Sequence, residues 1–302
     1  MASRPPAKSP DRGDRRGPPR TDRSAEARPF GGRGPHGTQD GGGRSGGRGD
    51  RPQRGGRGPL PGAGNTGGAN WLYGTHPVVA ALGNPARRLR RLLLTEEAEA
   101  ALASRLGGPL PLAPERTDRA RLDALLGRDA VHSGMALLAD PLPTPSLDQI
   151  LQRPGPILLL DQVTDPRNVG AILRSAAAFG VAAVIVQDRN APDETGVLAK
   201  AASGALETVP LLRAVNLART LAALKAAGLW TVGLDAGGGT LDGPAFRQRR
   251  VALVLGAEGE GLRRLTRESC DEIAGLAMPG DMESLNVSNA AAVALYELTR
   301  AG

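Results

Sequence analysis

Apolar residues begin to recur at Trp71, and their spacing from there to about residue 140 predicts a small unit of mixed α/β structure. The predicted elements are a strand at 91–94, a helix at 96–106 opened by Thr95, a second helix that includes 122–126 and a strand at 135–139. The run Asp140-Pro-Leu-Pro-Thr-Pro then starts a linker, because each proline lacks a backbone donor and disfavours helix before it. The sequence therefore predicts a first domain over 71–139 and a linker over 140–156.

After Pro156, near-continuous apolar runs alternate with alanine-rich segments. The predicted strands are 157–160, 183–187, 208–212, 229–234, 251–255 and 273–278. The predicted helices are 169–179, 196–203, 216–227, 260–268 and about 287–300, the last with an apolar stripe at Val287, Ala291, Leu295 and Leu298. Strands that are apolar on both faces indicate a buried, mostly parallel sheet covered by helices. The second predicted domain is thus α/β and spans 157–302.

The first 70 residues have a different composition. They contain 14 Lys+Arg and 6 Asp+Glu, a net charge of +8, whereas the whole chain has +7. Their only large apolar residues are Met1, Phe30 and Leu60, among 19 glycines and 10 prolines. So little apolar surface cannot offset the entropy of ordering, and we expect a disordered tail. The runs Phe30-Gly-Gly-Arg-Gly and Arg54-Gly-Gly-Arg-Gly are typical of an RNA-binding arm, with a solubilising extension as the alternative.

Several classes of protein are disfavoured by what the chain lacks. No apolar run approaches the roughly 18 residues of a membrane helix, and the N-terminus has no apolar signal segment. Cys270 is the only cysteine, and the three histidines lie far apart, so no metal site is expected. No Gly-x-Gly-x-x-Gly follows a strand, and no phosphate-binding Gly-x-x-x-x-Gly-Lys occurs. We therefore expect a cytoplasmic protein without metal and without a membrane segment.

Three polar clusters follow predicted strands, at the sheet edge where open α/β proteins bind ligands. In the first cluster Asn168 is at the position of a helix cap, and Arg174 follows two turns later. The second is Leu255-Gly-Ala-Glu-Gly-Glu-Gly, whose glycines allow close approach of a ligand to the backbone. The third is Met278-Pro-Gly-Asp-Met-Glu-Ser-Leu-Asn-Val-Ser, with three short polar side chains near one helix start. Each cluster alone also fits ordinary caps and loops.

Together the three clusters resemble the motifs of the SpoU family of RNA ribose 2′-O-methyltransferases, which belongs to the SPOUT superfamily. The matching pieces are Asn168-x-x-x-x-x-Arg174, Leu255-Gly-Ala-Glu-Gly-Glu-Gly and Glu283-Ser-Leu-Asn-Val-Ser. This resemblance covers residues 157–302. The segments Tyr73-Gly-Thr-His-Pro-Val and His132-Ser-Gly are similar to a substrate-binding domain that resembles a ribosomal protein of the L30e type.

The resemblance implies a fold, a cofactor and a substrate. Family members use S-adenosylmethionine (AdoMet), have a parallel-sheet domain with a C-terminal trefoil knot, and form homodimers through the knotted domain. The subgroup with the additional domain acts on RNA, with a guanosine ribose of 23S rRNA as the implied target. The implied cofactor-binding residues are Gly256, Leu276, Met278 and Leu285. Ala277 departs from the family pattern, in which proline usually precedes this methionine.

The resemblance also implies the catalytic residues. Arg174 matches the arginine that activates the ribose hydroxyl, and Asn168, Glu258, Ser284 and Asn286 complete the implied site. Because arginine is hardly ever deprotonated in proteins, we expect Arg174 to stabilise the developing alkoxide or to hold a phosphate as a cation. The other four side chains are expected to orient Arg174, the ribose and the loops.

Two alternative functions remain open at this point. A tRNA ribose 2′-O-methyltransferase would share all three motifs, but it usually lacks a domain such as 71–139. A non-catalytic RNA-binding or ribosome-assembly factor would be expected to have lost Asn168, Arg174 or Asn286, and all three are present.

Overall fold

The computed structural model describes residues 70–300. The predicted basic tail, residues 1–70, lies outside this range apart from Asn70, and Ala301 and Gly302 also lie outside it. Within the described residues the chain forms two units, each with its own sheet. None of the helices in this part of the chain has the length and apolarity that crossing a bilayer requires.

The first unit is a sheet of four strands in the order β1-β4-β2-β3, with β2 and β3 parallel and the other neighbours antiparallel. Its elements are β1 (Asn70–Tyr73), α1 (Thr75–Gly83), β2 (Leu89–Leu94), α2 (Glu96–Leu106), β3 (Pro114–Arg116), α3 (Arg119–Leu126) and β4 (Met135–Ala139). Helix α2 and strand β4 have the predicted bounds, and the Thr95 hydroxyl accepts the amide hydrogen of Ala98 as the predicted cap. Strands β1 and β3 and helix α1 were not predicted.

The second unit contains a parallel sheet in the order β10-β8-β9-β5-β6-β7. Its elements are β5 (Ile157–Leu160), α5 (Pro166–Ala178), β6 (Ala183–Gln187), α6 (Gly196–Ala202), β7 (Leu211–Ala214), α7 (Leu217–Ala226), β8 (Trp230–Thr240), β9 (Val251–Leu255), α8 (Arg264–Glu268), β10 (Glu272–Gly275) and α9 (Val287–Thr299). Every residue of β5 and β9 is buried, as expected for central strands covered on both faces. The predicted parallel α/β sheet is therefore confirmed.

Several predicted boundaries were wrong, and each error has a local cause. The predicted linker contains a short helix, α4 (Leu147–Leu151), which begins with a capping box between Ser146 and Gln149. Strand β7 begins at Leu211 rather than Thr208, because residues 205–207 form a 3₁₀ turn and Pro210 precedes the strand. Helix α8 begins only at Arg264, since Gly259 and Gly261 have positive φ and end any helix there.

Strands β8 and β10 also differ from the prediction, and the difference shapes the sheet edge. Strand β8 continues to Thr240, and its pairing with β10 jumps from Gly233↔Ile273 to Gly239↔Ala274. The intervening residues 234–238 therefore bulge from the sheet. Strand β10 ends at Gly275, so residues 276–278, predicted as strand, instead begin an irregular segment that runs to Asn286.

Candidate active site

Helix α5 places the first polar cluster at the carboxyl edge of the sheet. It begins with Pro166, whose missing N–H is not needed there, and the Asp165 side chain accepts the amide hydrogen of Arg167 at 2.8 Å. Asp165 is thus the cap, and the prediction that Asn168 occupies the cap position was wrong. Asn168 is the third residue of the helix, so its side-chain amide is available for bonds outside α5.

The side chains of Asn168, Glu258 and Asn286 form one hydrogen-bonded cluster, although each comes from a different sequence motif. The Asn168 Nδ2 donates to Glu258 Oε1 at 3.0 Å, and the Asn286 Nδ2 donates to Asn168 Oδ1 at 3.1 Å. Asn286 Nδ2 also donates to Glu258 Oε1. We call these three residues the polar triangle. It joins the start of α5, the loop after β9 and the start of α9.

Asn286 serves a second purpose as the cap of α9. Its Oδ1 accepts the amide hydrogen of Ser288 at 3.0 Å and also the Ser288 hydroxyl. The next amide, that of Val287, donates to Glu258 Oε1 at 3.3 Å. The Glu258 carboxylate therefore contacts the amino-terminal end of α9 directly.

The glycine-rich loop after β9 folds back on itself in a tight turn. The Gly261 amide donates to the Ala257 carbonyl at 3.0 Å, and Gly259 and Gly261 have φ of 82° and 66°. A Cβ at Gly256 would lie 2.1 Å from the Gly261 carbonyl carbon, so only glycine fits. This compact turn fixes the direction in which Glu258 leaves the loop.

A buried aspartate, Asp161, anchors the far end of the same loop. It follows β5 directly, is 0% exposed, and accepts from the Arg263 amide at 3.2 Å and the Arg263 Nε at 2.7 Å. Its own amide donates to the Leu255 carbonyl at 2.8 Å. Our sequence reasoning gave Asp161 no role, although an acidic residue after a fully apolar strand was a usable signal.

A second ion pair lies beside the loop. Asp235, in the β8 bulge, contacts Arg267 at 2.6 Å and accepts the Gly237 amide hydrogen at 3.1 Å. Burial acts to raise the pKa of Asp235, but these hydrogen bonds and the Arg267 charge outweigh it and lower the pKa. Asp235 is therefore a negative charge beside the glycine-rich loop after β9.

The four residues expected to bind the cofactor lie on the two loops at this edge. Gly256 follows β9, Leu276 follows β10, and Met278 and Leu285 lie in the segment between β10 and α9. Leu276 and Met278 are half-buried and Leu285 is 40% exposed. Within residues 70–300, the backbone amides and carbonyls of 276–285 have no backbone hydrogen-bond partner.

This segment fits a methyl donor of the AdoMet type. Its amides and carbonyls are available to contact the edges of a purine, and its apolar side chains are accessible to contact the ring faces. Backbone amides and carbonyls are strong donors and acceptors that need partners. A bound ligand would supply hydrogen-bond partners for the unpaired backbone groups of 276–285.

The remaining two candidates, Arg174 and Ser284, are not hydrogen-bonded to the polar triangle. Arg174 is exposed on α5 and makes no hydrogen bond or ion pair with another described residue. Ser284 is exposed and likewise has no hydrogen-bond partner between residues 70 and 300. Both side chains are thus accessible to a ligand. The same part of the chain contains no group of three metal-ligating side chains.

Comparison with family models gives two matches that divide the chain in the same way as the two sheets. Residues 155–296 match the SpoU rRNA Methylase family, and residues 71–145 match a domain described as RNA 2′-O ribose methyltransferase substrate binding.

Full-length relatives and a solved structure cover both units. The 23S rRNA (guanosine-2′-O-)-methyltransferase RlmB of Vibrio cholerae is 44% identical over 242 residues, which is 76% of this chain and 96% of the relative. The protein of the same name from Pseudomonas aeruginosa is 39% identical over 241 residues, with 76% and 95% covered. The crystal structure of the SpoU methyltransferase AviRb from Streptomyces viridochromogenes in complex with AdoMet is similar with a TM-score of 0.63 and 27% identity, covering 78% of this chain and 90% of that one.

Proposed function

Because this chain belongs to the SpoU rRNA methylase family, we propose that it transfers the methyl group of AdoMet to the 2′-hydroxyl of a guanosine ribose in 23S rRNA. The observation that carries the proposal is the polar triangle, in which side chains from all three motifs meet at the carboxyl edge of the sheet. The similarity to the RlmB proteins extends over both units and supports the choice of substrate.

We propose that the cofactor is held by the two loops at this edge. The residues are Gly256, Leu276, Met278 and Leu285, acting mainly through backbone groups. When bound, AdoMet supplies an electrophilic methyl group on a positively charged sulfur. No metal ion takes part in the proposed reaction.

The chain's own residues have three proposed tasks in the transfer. The ribose 2′-oxygen would take the methyl group that the bound cofactor supplies, the sulfonium would become a neutral thioether, and the hydroxyl proton would pass to solvent water. Arg174, as a permanent cation, stabilises the negative charge that develops on the 2′-oxygen or holds a neighbouring phosphate. The polar triangle keeps α5, the glycine-rich loop and the start of α9 in register. Ser284 is available to hydrogen bond the ribose or the cofactor.

The domain roles follow the same proposal. Residues 71–139 form an L30e-like unit that binds the RNA, 157–302 form the catalytic domain, and 140–156 connect them. The basic residues of 1–70 add a general electrostatic attraction for RNA. We propose that the catalytic domain has a C-terminal trefoil knot and that two catalytic domains associate as a homodimer through the knotted domain. A ribosomal RNA substrate places the enzyme in the cytoplasm.

The apolar stripe predicted for the last helix packs inside its own subunit and is not available for a dimer contact. Val287, Ala291 and Leu295 are buried in the core of their own subunit. The apolar surface of α9 that remains open consists of Val293, 46% exposed, and Tyr296, 56% exposed. The proposed interface therefore uses the outer face of α9.

The decisive experiment maps ribose methylation in ribosomal RNA from a strain that lacks the gene. We expect one guanosine of 23S rRNA to lose its 2′-O-methyl group and to regain it when the purified protein and AdoMet are added. The Asn168→Ala protein is the control. Loss of a tRNA methyl group instead would favour the tRNA-modifying alternative, and unchanged methylation of all RNAs would favour a non-catalytic assembly factor.

A further inference from the structure

Arg87 is a buried arginine in the loop between α1 and β2, and its partners lie mostly in the other unit. Its side chain is 1% exposed. The guanidinium donates to the Glu207 carboxylate. Its Nε lies 3.2 Å from Oε1 and 3.1 Å from Oε2, and its Nη2 lies 2.6 Å from Oε1. Its Nη1 donates to the Asp140 carbonyl at 2.8 Å and lies 3.5 Å from Glu194. One cation of the first unit thus faces two carboxylates of the second.

The contact around this ion pair is close enough to require glycine. Gly196 opens α6, and a Cβ there would lie 2.4 Å from the Tyr73 ring and 2.5 Å from the Trp71 carbonyl oxygen. Gly204 similarly faces Ala80, at 3.0 Å from its Cβ. Strand β1 and helix α1 are therefore seated directly on α6 and the 3₁₀ turn that follows it, rather than connected only by the linker.

This contact lies next to the candidate active site. Helix α6 packs along α5, the helix that carries Asn168 and Arg174. Burial raises the pKa of Tyr73 at the end of β1, and the Arg167 charge acts in the opposite direction, so Tyr73 and Arg167 are electrostatic neighbours. Arg167 immediately precedes Asn168. The first unit therefore contacts α6 directly and lies near the amino-terminal end of α5.

We propose that Arg87 is a positioning residue that locks the RNA-binding unit onto the catalytic unit and so presents the RNA to the polar triangle in one orientation. The RNA part of this inference rests on the function proposed above. The physical reason is that an arginine removed from a buried cluster leaves its carboxylates unpaired, which is far more costly than loss of a surface pair. When the RNA-binding unit is held rigidly on the catalytic unit, RNA bound to the first also has a high effective concentration at the catalytic site.

The locking step is tested on the protein alone by amide hydrogen exchange. In the Arg87→Met protein, we expect faster exchange in residues 70–83 and 194–208, with unchanged protection in β5 and β9. The matched control is Arg88→Met, because Arg88 is the adjacent residue, its side chain is 72% exposed and its contact with Asp140 is 3.7 Å long. We expect Arg88→Met to exchange as the wild type does.

The positioning step is tested by kinetics with 23S rRNA. For Arg87→Met we expect kcat/KM for RNA to fall by about tenfold or more, while the Kd for AdoMet stays within about twofold of wild type. The double variant Arg87→Met/Glu207→Gln should recover part of the loss, since one unpaired carboxylate is removed with the arginine. A residue that only supports the fold would change AdoMet binding together with the RNA kinetics.

The outcomes separate this inference from the proposed function. Wild-type kcat/KM in Arg87→Met, or the same loss in Arg88→Met, would overturn the inference. If Arg87→Met fails to fold, Gly196→Ala takes its place, with Gly83→Ala as control because a Cβ at Gly83 has no neighbour within 4 Å. An RNA response equal in those two glycine variants would also overturn it. A wild-type protein that methylates no RNA would refute the proposed function, while the exchange measurement would still decide on the lock.

Discussion

Asn168 and Glu258 are joined by a hydrogen bond of 3.0 Å between Nδ2 and Oε1, although 90 positions separate them in the chain. Glu258 accepts hydrogen bonds from both asparagines of the polar triangle and from the Val287 amide at the start of α9. Its carboxylate therefore connects the start of α5, the loop after β9 and the start of α9.

Replacing Glu258 by alanine should lower the rate of methyl transfer by about 10- to 100-fold, because small errors in placing reacting groups have effects of this size. The free energy of unfolding should fall by only about 1 kcal/mol, the ordinary value of a few partly exposed hydrogen bonds. The control is Glu260→Ala, two residues further along the same exposed loop and outside the triangle. Wild-type kcat in Glu258→Ala would show that the triangle has no part in catalysis.

Arg174 should act as a cation and not as a base. Arg174→Lys should retain part of the activity, since the charge remains while the fork geometry is lost, and its single-turnover rate should not rise with the ionisation of the new lysine near pH ~10.4. Arg174→Ala should lose most of the activity and bind AdoMet normally. A rate that rises as the lysine is deprotonated would instead identify a general base. The control is Arg219→Lys on α7, outside the candidate site.

Deleting residues 1–69 should weaken RNA binding and make its dependence on salt shallower, because fewer phosphate counterions are released when basic residues are missing. AdoMet affinity should not change. The cut precedes β1, whose Asn70 pairs with Ala139 and should be kept. Equal salt slopes for the full and shortened chains would support a purely solubilising extension.

The protein should sediment as a dimer at micromolar concentration, and Val293→Asp should convert it to a monomer, since an unpaired carboxylate is costly to bury. Val131→Asp is the matched control, because Val131 is 69% exposed and lies in the first unit. A fully active wild-type monomer would contradict the proposed assembly.

Glu194 should make the stability depend on pH. Burial raises its pKa, and Glu207 acts in the same direction, while Arg87 and Arg213 oppose the shift. A carboxyl that binds its proton more tightly when folded lowers stability at pH values above the folded pKa, and this loss disappears as the pH falls through that pKa. Glu194→Gln should therefore raise Tm at pH 7 by about 2 °C, the shift expected for roughly 0.5–1 kcal/mol in a domain of this size.

The advantage of Glu194→Gln should vanish below about pH 4, where the wild-type carboxyl is protonated in both states. Thermal unfolding of both proteins from pH 3 to 8 measures this, with Glu260→Gln as a surface control. A Tm difference that is the same at every pH would exclude titration of Glu194 as the cause.

The sequence predicted best those elements whose pattern is set by burial. Strands 157–160, 183–187 and 251–255 were placed with the observed bounds because all their residues except Gln187 are apolar. Strand β8 was predicted too short, since Asp235-Ala-Gly-Gly-Gly-Thr carries no apolar alternation and its pairing depends on β10. Val209 was included in β7 because it is apolar, but it is buried in the main hydrophobic core without belonging to the strand, which begins at Leu211.

The sequence predicted which residues form the candidate site, but not how their side chains are arranged. The three motifs gave Asn168, Glu258 and Asn286, but local signals could not show that their side chains bond to one another across the chain. Arg87 was not singled out, because nothing near it in sequence reveals that its partner is 120 positions away. A charged residue buried by tertiary contacts leaves no periodic pattern.

The strand order has a consequence for how the chain folds. Strand β5 lies between β6 and β9, so residue 157 pairs with residue 252, and the sheet closes only after a long stretch of chain has been brought back to its centre. Pairings so distant in sequence are formed late and slowly, because chain entropy is lost before the contacts are made. A folding intermediate that holds only β5 to β7 has Asn168 without Glu258 or Asn286. We therefore expect methyl-donor binding to return during refolding only after strands β8 to β10 have joined β5.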